Sequence, residues 1–178
     1  MKANLKNMTK ALATLALATS TGLACAATAT ANLNVSATIT PNCTISTTPV
    51  AFGSYDPVSG SDVTAAGTVV VACTKNAPSL SIGLGNGSNY ASGMRNMSGA
   101  SFTDKLAYSL LQPVSNTPGA ACPAMGAGTE WTAAAGALTL TTPSGKAART
   151  YNVCGQLAAG QDVSVDTYAD LVIATINF

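Results

Sequence analysis

The residues that could do chemistry in this sequence are its cysteines and a few carboxylates, because its 178 residues include no histidine. Without an imidazole neither a Ser-His-Asp nor a Cys-His nucleophile can be assembled, so both routes to hydrolysis are excluded. Five cysteines remain to be explained, and they are Cys25, Cys43, Cys73, Cys122 and Cys154. A four-cysteine zinc site is one alternative, but no two of them have the Cys-x-x-Cys spacing that such sites use.

Three aspartates, Asp162, Asp166 and Asp170, recur at every fourth position and could hold calcium or act as an acid-base pair. They do not lie in a calcium-binding loop with a glycine at its bend, so a solvated strand edge explains them better. The Gly-rich stretch 83–87 has no lysine and no following helix, which excludes a phosphate-binding loop. The sequence therefore predicts no enzyme, no metal site and no cofactor.

Residues 1–26 have the pattern of a secretory signal peptide. Three lysines accompany a short apolar run, and Ala24-Cys25-Ala26 supplies the small residues that signal peptidase reads. We place cleavage after Ala26, and the apolar run is too short to cross a bilayer. A lipoprotein anchored through Cys25 is the alternative, but Leu23 lies one place away from the usual lipobox position. Export implies an oxidising compartment.

In that compartment the four cysteines of the mature chain are expected to form two disulfides. Three pairings are possible, and we prefer the one that joins neighbours along the sequence. It pairs Cys43 with Cys73 and Cys122 with Cys154, so that each bond closes a loop of about thirty residues. Each bond would contribute about 3 to 4 kcal/mol by the loop-entropy estimate.

The mature chain, 27–178, has five basic residues against seven acidic ones, a net charge near minus two. Such a charge does not attract nucleic acid, so no nucleic-acid partner is expected. The length suits one domain with a real core. Richness in Ala, Thr, Ser, Gly and Val, with few charges, predicts many short strands joined by polar turns, and hence an all-β sandwich.

The clearest strand pattern lies at the start of the mature chain. In the stretch 28–40, apolar residues occupy every second position and polar residues fill every gap. The apolar positions are Ala29, Ala31, Leu33, Val35, Ala37 and Ile39. A period of two predicts an extended strand with one apolar face, and such a strand needs a sheet to join.

A second apolar strand, 170–178, is predicted at the end of the sequence. Val172, Ala174, Ile176 and Phe178 share one of its faces. Since no residue follows Phe178, we expect an apolar edge that invites aggregation unless another strand covers it. The N-terminal strand of the same chain could provide that cover, and this alternative stays open.

Other patterns between these two stretches predict the rest of the sandwich. Further strands are expected at 64–74, 79–85, 106–111, 138–141 and 150–157. Apolar residues on both faces place 64–74 in the centre of a sheet. Asn86-Gly87 predicts a tight hairpin turn after 79–85, and 95–101 is predicted to be a polar turn.

Two features outside these strands also carry expectations. Phe52 and Tyr55 are expected to anchor the core or its rim. The long Pro- and Gly-rich loop 112–128 needs a restraint inside a compact domain, and a disulfide through Cys122 would provide it.

An ordered series of short motifs along the mature chain resembles the spore coat protein U domain. In chain order these motifs are Cys73-Thr74-Lys75, Ser81 to Gly87, Arg95-Asn96-Met97, Leu106 to Leu110, Trp131, Ala159 to Asp162 and Tyr168 to Phe178. That domain is the pilin subunit of archaic chaperone-usher pili, of which the Csu pili are the familiar type. The Cys-bearing loop after Leu111 departs from the usual family pattern.

The resemblance implies an incomplete immunoglobulin-like β-sandwich that lacks its last strand and is completed by donor-strand exchange. A periplasmic chaperone fills the vacancy first, and at the outer-membrane usher the N-terminal strand of an identical or related pilin subunit replaces it. The implied donor residues are Ala29, Ala31, Leu33, Val35 and Ala37. The implied acceptor groove and chaperone-contact residues are Val172, Ala174, Ile176 and Phe178.

The resemblance also implies three segments: a signal peptide at 1–26, a donor segment at 27–38 and a pilin domain at 39–178. The expected function is that of a structural pilus subunit, exported through the periplasm to the cell surface, which polymerises and supports adhesion and biofilm formation. Two alternatives stay open. One is a minor tip-proximal adaptor or adhesive subunit, which the Cys-bearing loop would suit. The other is a non-fibrous secreted coat protein of the cell surface.

Overall fold

The computed structural model describes residues 26–178, so the predicted signal peptide, apart from Ala26, lies outside the described residues. The chain divides between Ala37 and Thr38. All described strands lie in the second unit, Thr38–Phe178, whereas residues 26–37 of the first unit contain none. Over the described range no helix is long and apolar enough to cross a membrane.

The strand predicted for 28–40 is not formed, because the structure leaves residues 26–42 outside every β-ladder. Leu33 and Val35 are 86% and 87% exposed. A strand needs neighbouring backbone to pair with, and none of the described strands pairs with this segment. The alternative in which this segment pairs with the C-terminal strand of its own chain is therefore not what the structure shows, and a strand that joins the sheet of another chain stays a prediction.

Nine strands, all paired antiparallel, form two sheets within the described residues. In chain order they are β1 (Cys43–Thr48), β2 (Val63–Cys73), β3 (Ser81–Leu84), β4 (Arg95–Gly99), β5 (Lys105–Leu111), β6 (Leu138–Thr139), β7 (Arg149–Leu157), β8 (Tyr168–Ala169) and β9 (Ala174–Asn177). The larger sheet has the order β1-β2-β7-β5-β4-β8, and the smaller one has the order β6-β3-β9. The prediction of an all-β sandwich is confirmed.

One buried cluster fills the space between the two sheets. Val71 of β2 and Tyr151 of β7 belong to it together with Ile82 of β3 and Leu138 of β6. Trp131, from the loop before β6, is completely buried, and its indole Nε1 donates to the backbone oxygen of Ile82 at 2.7 Å. The period-two pattern of β2 places alternate residues in this cluster, and β2 lies between β1 and β7, so its predicted central position is confirmed.

Two predictions about the middle of the chain are wrong. The stretch predicted as a polar turn, 95–101, begins with the strand β4. Its first residues, Arg95 and Asn96, are buried with their polar groups hydrogen-bonded, so polar composition disguises an inner strand. The hairpin predicted at Asn86-Gly87 is also absent, because β3 pairs with β6 and β9 rather than with β4.

The predicted strand 170–178 is only partly formed. Only its second half forms a strand, β9, which pairs with β3 of the smaller sheet, whereas β8, just before residue 170, pairs with β4 of the larger sheet. Residues 170–173 connect the two and lie in neither ladder. Burial nevertheless alternates without interruption from 166 to 177, so the backbone stays extended as it passes from one sheet to the other.

Both disulfides preferred from the loop lengths are present. Cys43 and Cys73 lie directly opposite each other in the β1–β2 ladder, and their bond closes the edge of the larger sheet. Cys122 is bonded to Cys154 of β7, at the centre of the same sheet. With all four sulfur atoms in disulfides, no thiolate among them is left for zinc.

The second disulfide lies within a network that holds the loop 112–130 against β7. The Gln156 amide accepts from the backbone of Gly126 at 2.9 Å and donates to that of Ala124 at 2.9 Å. The Asn152 amide donates to the backbone oxygen of Ala120 at 2.8 Å. The loop therefore covers one face of the central strand, as a restrained element of the domain.

A buried arginine joins the two sheets. Arg95 of β4 is only 3% exposed, and it donates to the backbone oxygens of Gly85 at 2.8 and 2.9 Å and of Trp131 at 2.6 Å. It also forms an ion pair with Glu130. Partial burial raises the pKa of the Glu130 carboxyl, and the adjacent guanidinium opposes that shift.

Candidate functional site

A groove separates the edges of the two sheets in the Thr38–Phe178 unit. Within the described residues β1 pairs only with β2, β8 only with β4, and β9 only with β3. One edge of each of these strands therefore has no hydrogen-bonded partner strand within the described residues. The two walls of the groove are 47–57, which continues β1, and 163–174, which leads through β8 to the start of β9.

Two adjoining cavities make up this groove, with volumes of about 430 and 540 Å³. They share the lining residues Val50, Phe52, Met97 and Tyr168, so they are sections of one groove. Apolar side chains of both sheets form its floor, and they include Val69, Leu84, Leu106, Leu110, Val153 and Leu157. An apolar floor between two strand edges fits an extended backbone with apolar side chains on one face.

The wall 163–174 presents alternate side chains to the interior. Of the four residues predicted for this wall, Val172 and Ala174 line the groove. Ile176 is half-buried against the core but is not among the lining residues, and Phe178 is 54% exposed. The structure thus brings two of the four predicted residues into the groove, and their role as acceptors stays a prediction.

The opposite wall was not identified from the sequence. Val50 and Phe52 line it, and Phe52 and Tyr55 are half-buried beside the core, as expected of rim anchors. The ring of Phe52 packs edge-on against Tyr108, with centroids 6.2 Å apart. Only the apolar character of 49–55 offered a signal, because an irregular wall has no period to detect.

Two glycines let this wall approach the floor. A Cβ atom on Gly67 of β2 would lie 2.7 Å from the backbone oxygen of Thr48, and one on Gly155 of β7 would lie 2.5 Å from Val50 and 2.8 Å from Phe52. Such distances are too short for any side chain. Because these two glycines of β2 and β7 have no side chain, 48–52 lies close to the floor. The depth at which 48–52 lies sets the width of the groove.

Replacing Gly155 with alanine is expected to destabilise the domain by about 1 to 3 kcal/mol, because the added methyl group must displace Val50 and Phe52. Thermal unfolding of the variant measures this loss. Gly145→Ala is the matched control, since a Cβ at that glycine meets nothing within 4 Å. Equal melting temperatures for the two variants would show that the wall does not rest on Gly155.

Hydrogen-bonded carboxylates hold the wall 163–174 in place. The Tyr108 hydroxyl donates to Asp170 at 2.7 Å, and the other oxygen of Asp170 accepts from the backbone and side-chain nitrogens of Asn89, each at 3.1 Å. Burial, helped by Asp170, raises the pKa of Tyr108, so the phenol stays protonated. Asp166 accepts from the backbone nitrogens of Ser101 and Phe102. These carboxylates also position backbone, a role that the sequence-based interpretation of a solvated strand edge did not include.

The sequence of the chain is similar to those of known proteins. The family model described as the spore coat protein U domain matches residues 29–175. "Protein U" of Myxococcus xanthus is 33% identical over 144 residues, which cover 71% of this chain and 70% of that protein.

The fold is also similar to a solved structure. A chain in the crystal structure of the CsuC–CsuE chaperone-tip adhesion subunit pre-assembly complex, from the archaic chaperone-usher Csu pili of Acinetobacter baumannii, matches with a TM-score of 0.53 and 20% identity. The match covers 79% of this chain but 41% of that one, so this chain spans about two fifths of its length. The fold is therefore an incomplete immunoglobulin-like β-sandwich.

Proposed function

Because the chain belongs to the spore coat protein U domain family, we propose that it is a structural subunit of a chaperone-usher surface pilus. The observation that carries this proposal is the apolar groove between the walls 47–57 and 163–174, which no strand of the described residues fills. In this proposal the groove is the acceptor for an extended strand from a second chain. The added strand would form backbone hydrogen bonds with a wall and place alternate side chains on the floor.

The donor in this proposal is the segment 27–38 of another copy. Its apolar positions are Ala29, Ala31, Leu33, Val35 and Ala37. Two observations support the role: the alternation suits a groove with one apolar face, and the segment is exposed and outside every ladder in its own chain. A contact in which each copy donates to the next does not close on itself, so it produces a fibre.

The same proposal defines the partners and the location. An apolar groove of this size is an aggregation hazard during export, so we propose that a periplasmic chaperone occupies it first and that an outer-membrane usher exchanges it for the donor segment. The fold likeness to a chain of a chaperone-subunit complex supports the chaperone as a partner. The product is a surface fibre of identical or related subunits, which supports adhesion and biofilm formation and involves no enzymatic step.

A minor tip-proximal adaptor or adhesive subunit is the second candidate. The observation that favours it is the loop 112–130, which the Cys122–Cys154 bond and the amides of Asn152 and Gln156 hold against β7. A rigid surface loop suits recognition of another molecule. Because the family is named for a coat protein, a non-fibrous coat protein is a further alternative. Such a protein would need no strand in the groove.

The test is to fill the groove within one chain. A second copy of 27–40, joined by a flexible linker after Phe178, is expected to raise the melting temperature by about 10 °C or more. Burial of its apolar side chains is worth about 5 kcal/mol, which accounts for a shift of this size. The chain should also become monomeric, since the aggregating groove is then covered.

The matched control carries Leu33→Asp in the appended copy alone, and it should lose most of the gain because it would bury a carboxylate. Size-exclusion chromatography and thermal unfolding report both properties. If the unmodified mature chain is already monomeric and equally stable, the groove needs no donor, and the coat-protein alternative takes precedence.

A further inference from the structure

The two ends of the Thr38–Phe178 unit can be identified from the strand registers. At one end Val63 of β2 lies opposite Leu157 of β7. At the other end Cys73 of β2 lies opposite Cys43, and β7 begins nearby. We call the first the acidic end, formed by the loops 53–62, 100–104 and 158–167. The second is the basic end, formed by the segments 74–80 and 140–149.

Five of the seven acidic residues lie at the acidic end. They are Asp56, Asp62, Asp104, Asp162 and Asp166. Hydrogen bonds between elements place them there: Asp62 accepts from the backbone of Ala159 at 2.8 Å, and Asp104 accepts from that of Ser164 at 2.8 Å. Hydrogen bonds from the side chain and the backbone of Ser164 lower the pKa of Asp104, and the backbone donors of Ser101 and Phe102 lower the pKa of Asp166, so both stay ionised. Lys105, at the start of β5, is the one opposing charge on these loops or beside them.

The basic end carries three of the five cations of residues 26–178 and no acid on its two segments. Lys75 and Lys146 are exposed there, and Arg149 donates to the backbone oxygen of Thr141. The remaining cations lie elsewhere, with Arg95 in its buried ion pair.

The charges of one end do not neutralise those of the other. The 11 residues of β2 run from one end to the other, a distance on the order of 30 Å at the usual rise of a strand. Attraction between exposed charges fades over about 8 Å at physiological ionic strength. Each end therefore offers its charge to a different molecule.

The position of the N-terminal segment brings the opposite ends of two copies together. The base of that segment lies at the basic end, where Asn42 and Thr74 exchange hydrogen bonds of 2.9 to 3.2 Å. The wall strand 166–177 runs from the acidic end, where Tyr168 pairs with Gly99, towards the basic end. A donor segment that runs antiparallel to this wall strand therefore leaves the groove at the acidic end of the acceptor copy. The basic end of the donor copy, where the segment is attached, then lies next to that acidic end.

We propose that the basic end of each copy docks on the acidic end of the next copy, so that charge steers the assembly and sets its direction. This proposal rests on the proposed function, because the donor segment brings the two ends within reach. A donor in the opposite direction would bring two basic ends together, and like charges would repel. Complementary charges act mainly on the rate of association and on the rejection of wrong orientations.

The test uses two chains that form one contact only. The donor chain has its own groove filled by the appended strand, and the acceptor chain carries Leu33→Asp so that it cannot donate. Light scattering follows formation of the one-to-one dimer. Binding of the free peptide 27–40 to the acceptor verifies that its groove is intact.

Reversing the charge at one end should slow association about tenfold at low salt. The reversed donor chain carries Lys75→Glu with Lys146→Glu, and the reversed acceptor carries Asp56→Lys with Asp62→Lys. Combining the two reversed chains should restore the association rate. At about 500 mM NaCl the reversed and unreversed pairs should associate at the same rate. If the dimer forms at an association rate that changes neither with charge reversal nor with salt, the docking proposal is overturned and the pilus proposal is unaffected. Failure of the unreversed pair to dimerise, with the peptide also unbound, would overturn both.

Discussion

Fibre assembly is expected to fail when Leu33 is replaced by aspartate. In the proposed exchange this side chain leaves water for the apolar floor of the groove, beside residues such as Val69 and Leu110. A carboxylate placed there without a partner costs several kcal/mol. A loss of about 3 kcal/mol or more lowers the affinity of one copy for the next by at least about a hundredfold. Electron microscopy of surface fibres and the size distribution of the purified mature chain measure the effect.

Asn34→Asp is the matched control for that substitution. It adds the same charge one residue away, on the polar side of the alternation, and it should leave assembly close to normal. The domain itself should be unaffected by either change, because 26–37 contains no strand and lies outside the Thr38–Phe178 unit. Normal fibres from the Leu33 variant, or equal impairment in the two variants, would contradict the donor role.

The domain is expected to lose most of its stability when Arg95 is replaced by methionine. The backbone oxygens of Leu84, Gly85 and Trp131 would lose their donor, and Glu130 would lose its ion pair. Removing one partner from a buried network of this kind costs about 3 to 5 kcal/mol. Thermal unfolding of the chain with a filled groove should show a melting temperature lower by roughly 10 °C.

Glu130→Gln separates the charge of that ion pair from the backbone contacts of the arginine. The Glu130 side chain is 43% exposed, and glutamine can still accept from Arg95, so the loss should be about 1 kcal/mol or less. Equal losses in the two variants would mean that the ion pair, rather than the three carbonyl contacts, carries the effect.

Alternation of apolar residues predicted strands correctly within the Thr38–Phe178 unit, although the more regular alternation of 28–40 forms no strand in the structure. In β2, alternate residues reach the core, and its apolar second face predicts the two neighbouring strands that it has. Spacing favoured the disulfide pairing that is present, although the sequence left the other two pairings possible. Both signals are local, since they depend on residues within one strand or one loop.

Elements whose polar side chains bond to other protein groups instead of water were misassigned. Arg95 and Asn96 begin an inner strand, but their composition resembles a turn until their partners are known. Asp166 and Asp170 show the same difficulty, because their donors lie more than sixty residues away in the chain. A polar residue in a sequence does not reveal whether its partner will be water or protein.

The sequence by itself determined the all-β class, the two disulfides, the family and the apolar alternation of 28–40, since each depends on residue types and their spacing. Only the tertiary structure decided where the groove lies. The wall 47–57 has no periodicity, and the wall 163–174 passes between sheets, so their separation follows from how the sheets pack. The separation of charge between the two ends is equally invisible in the linear order, because loops far apart in sequence are brought together only when antiparallel strands set their register.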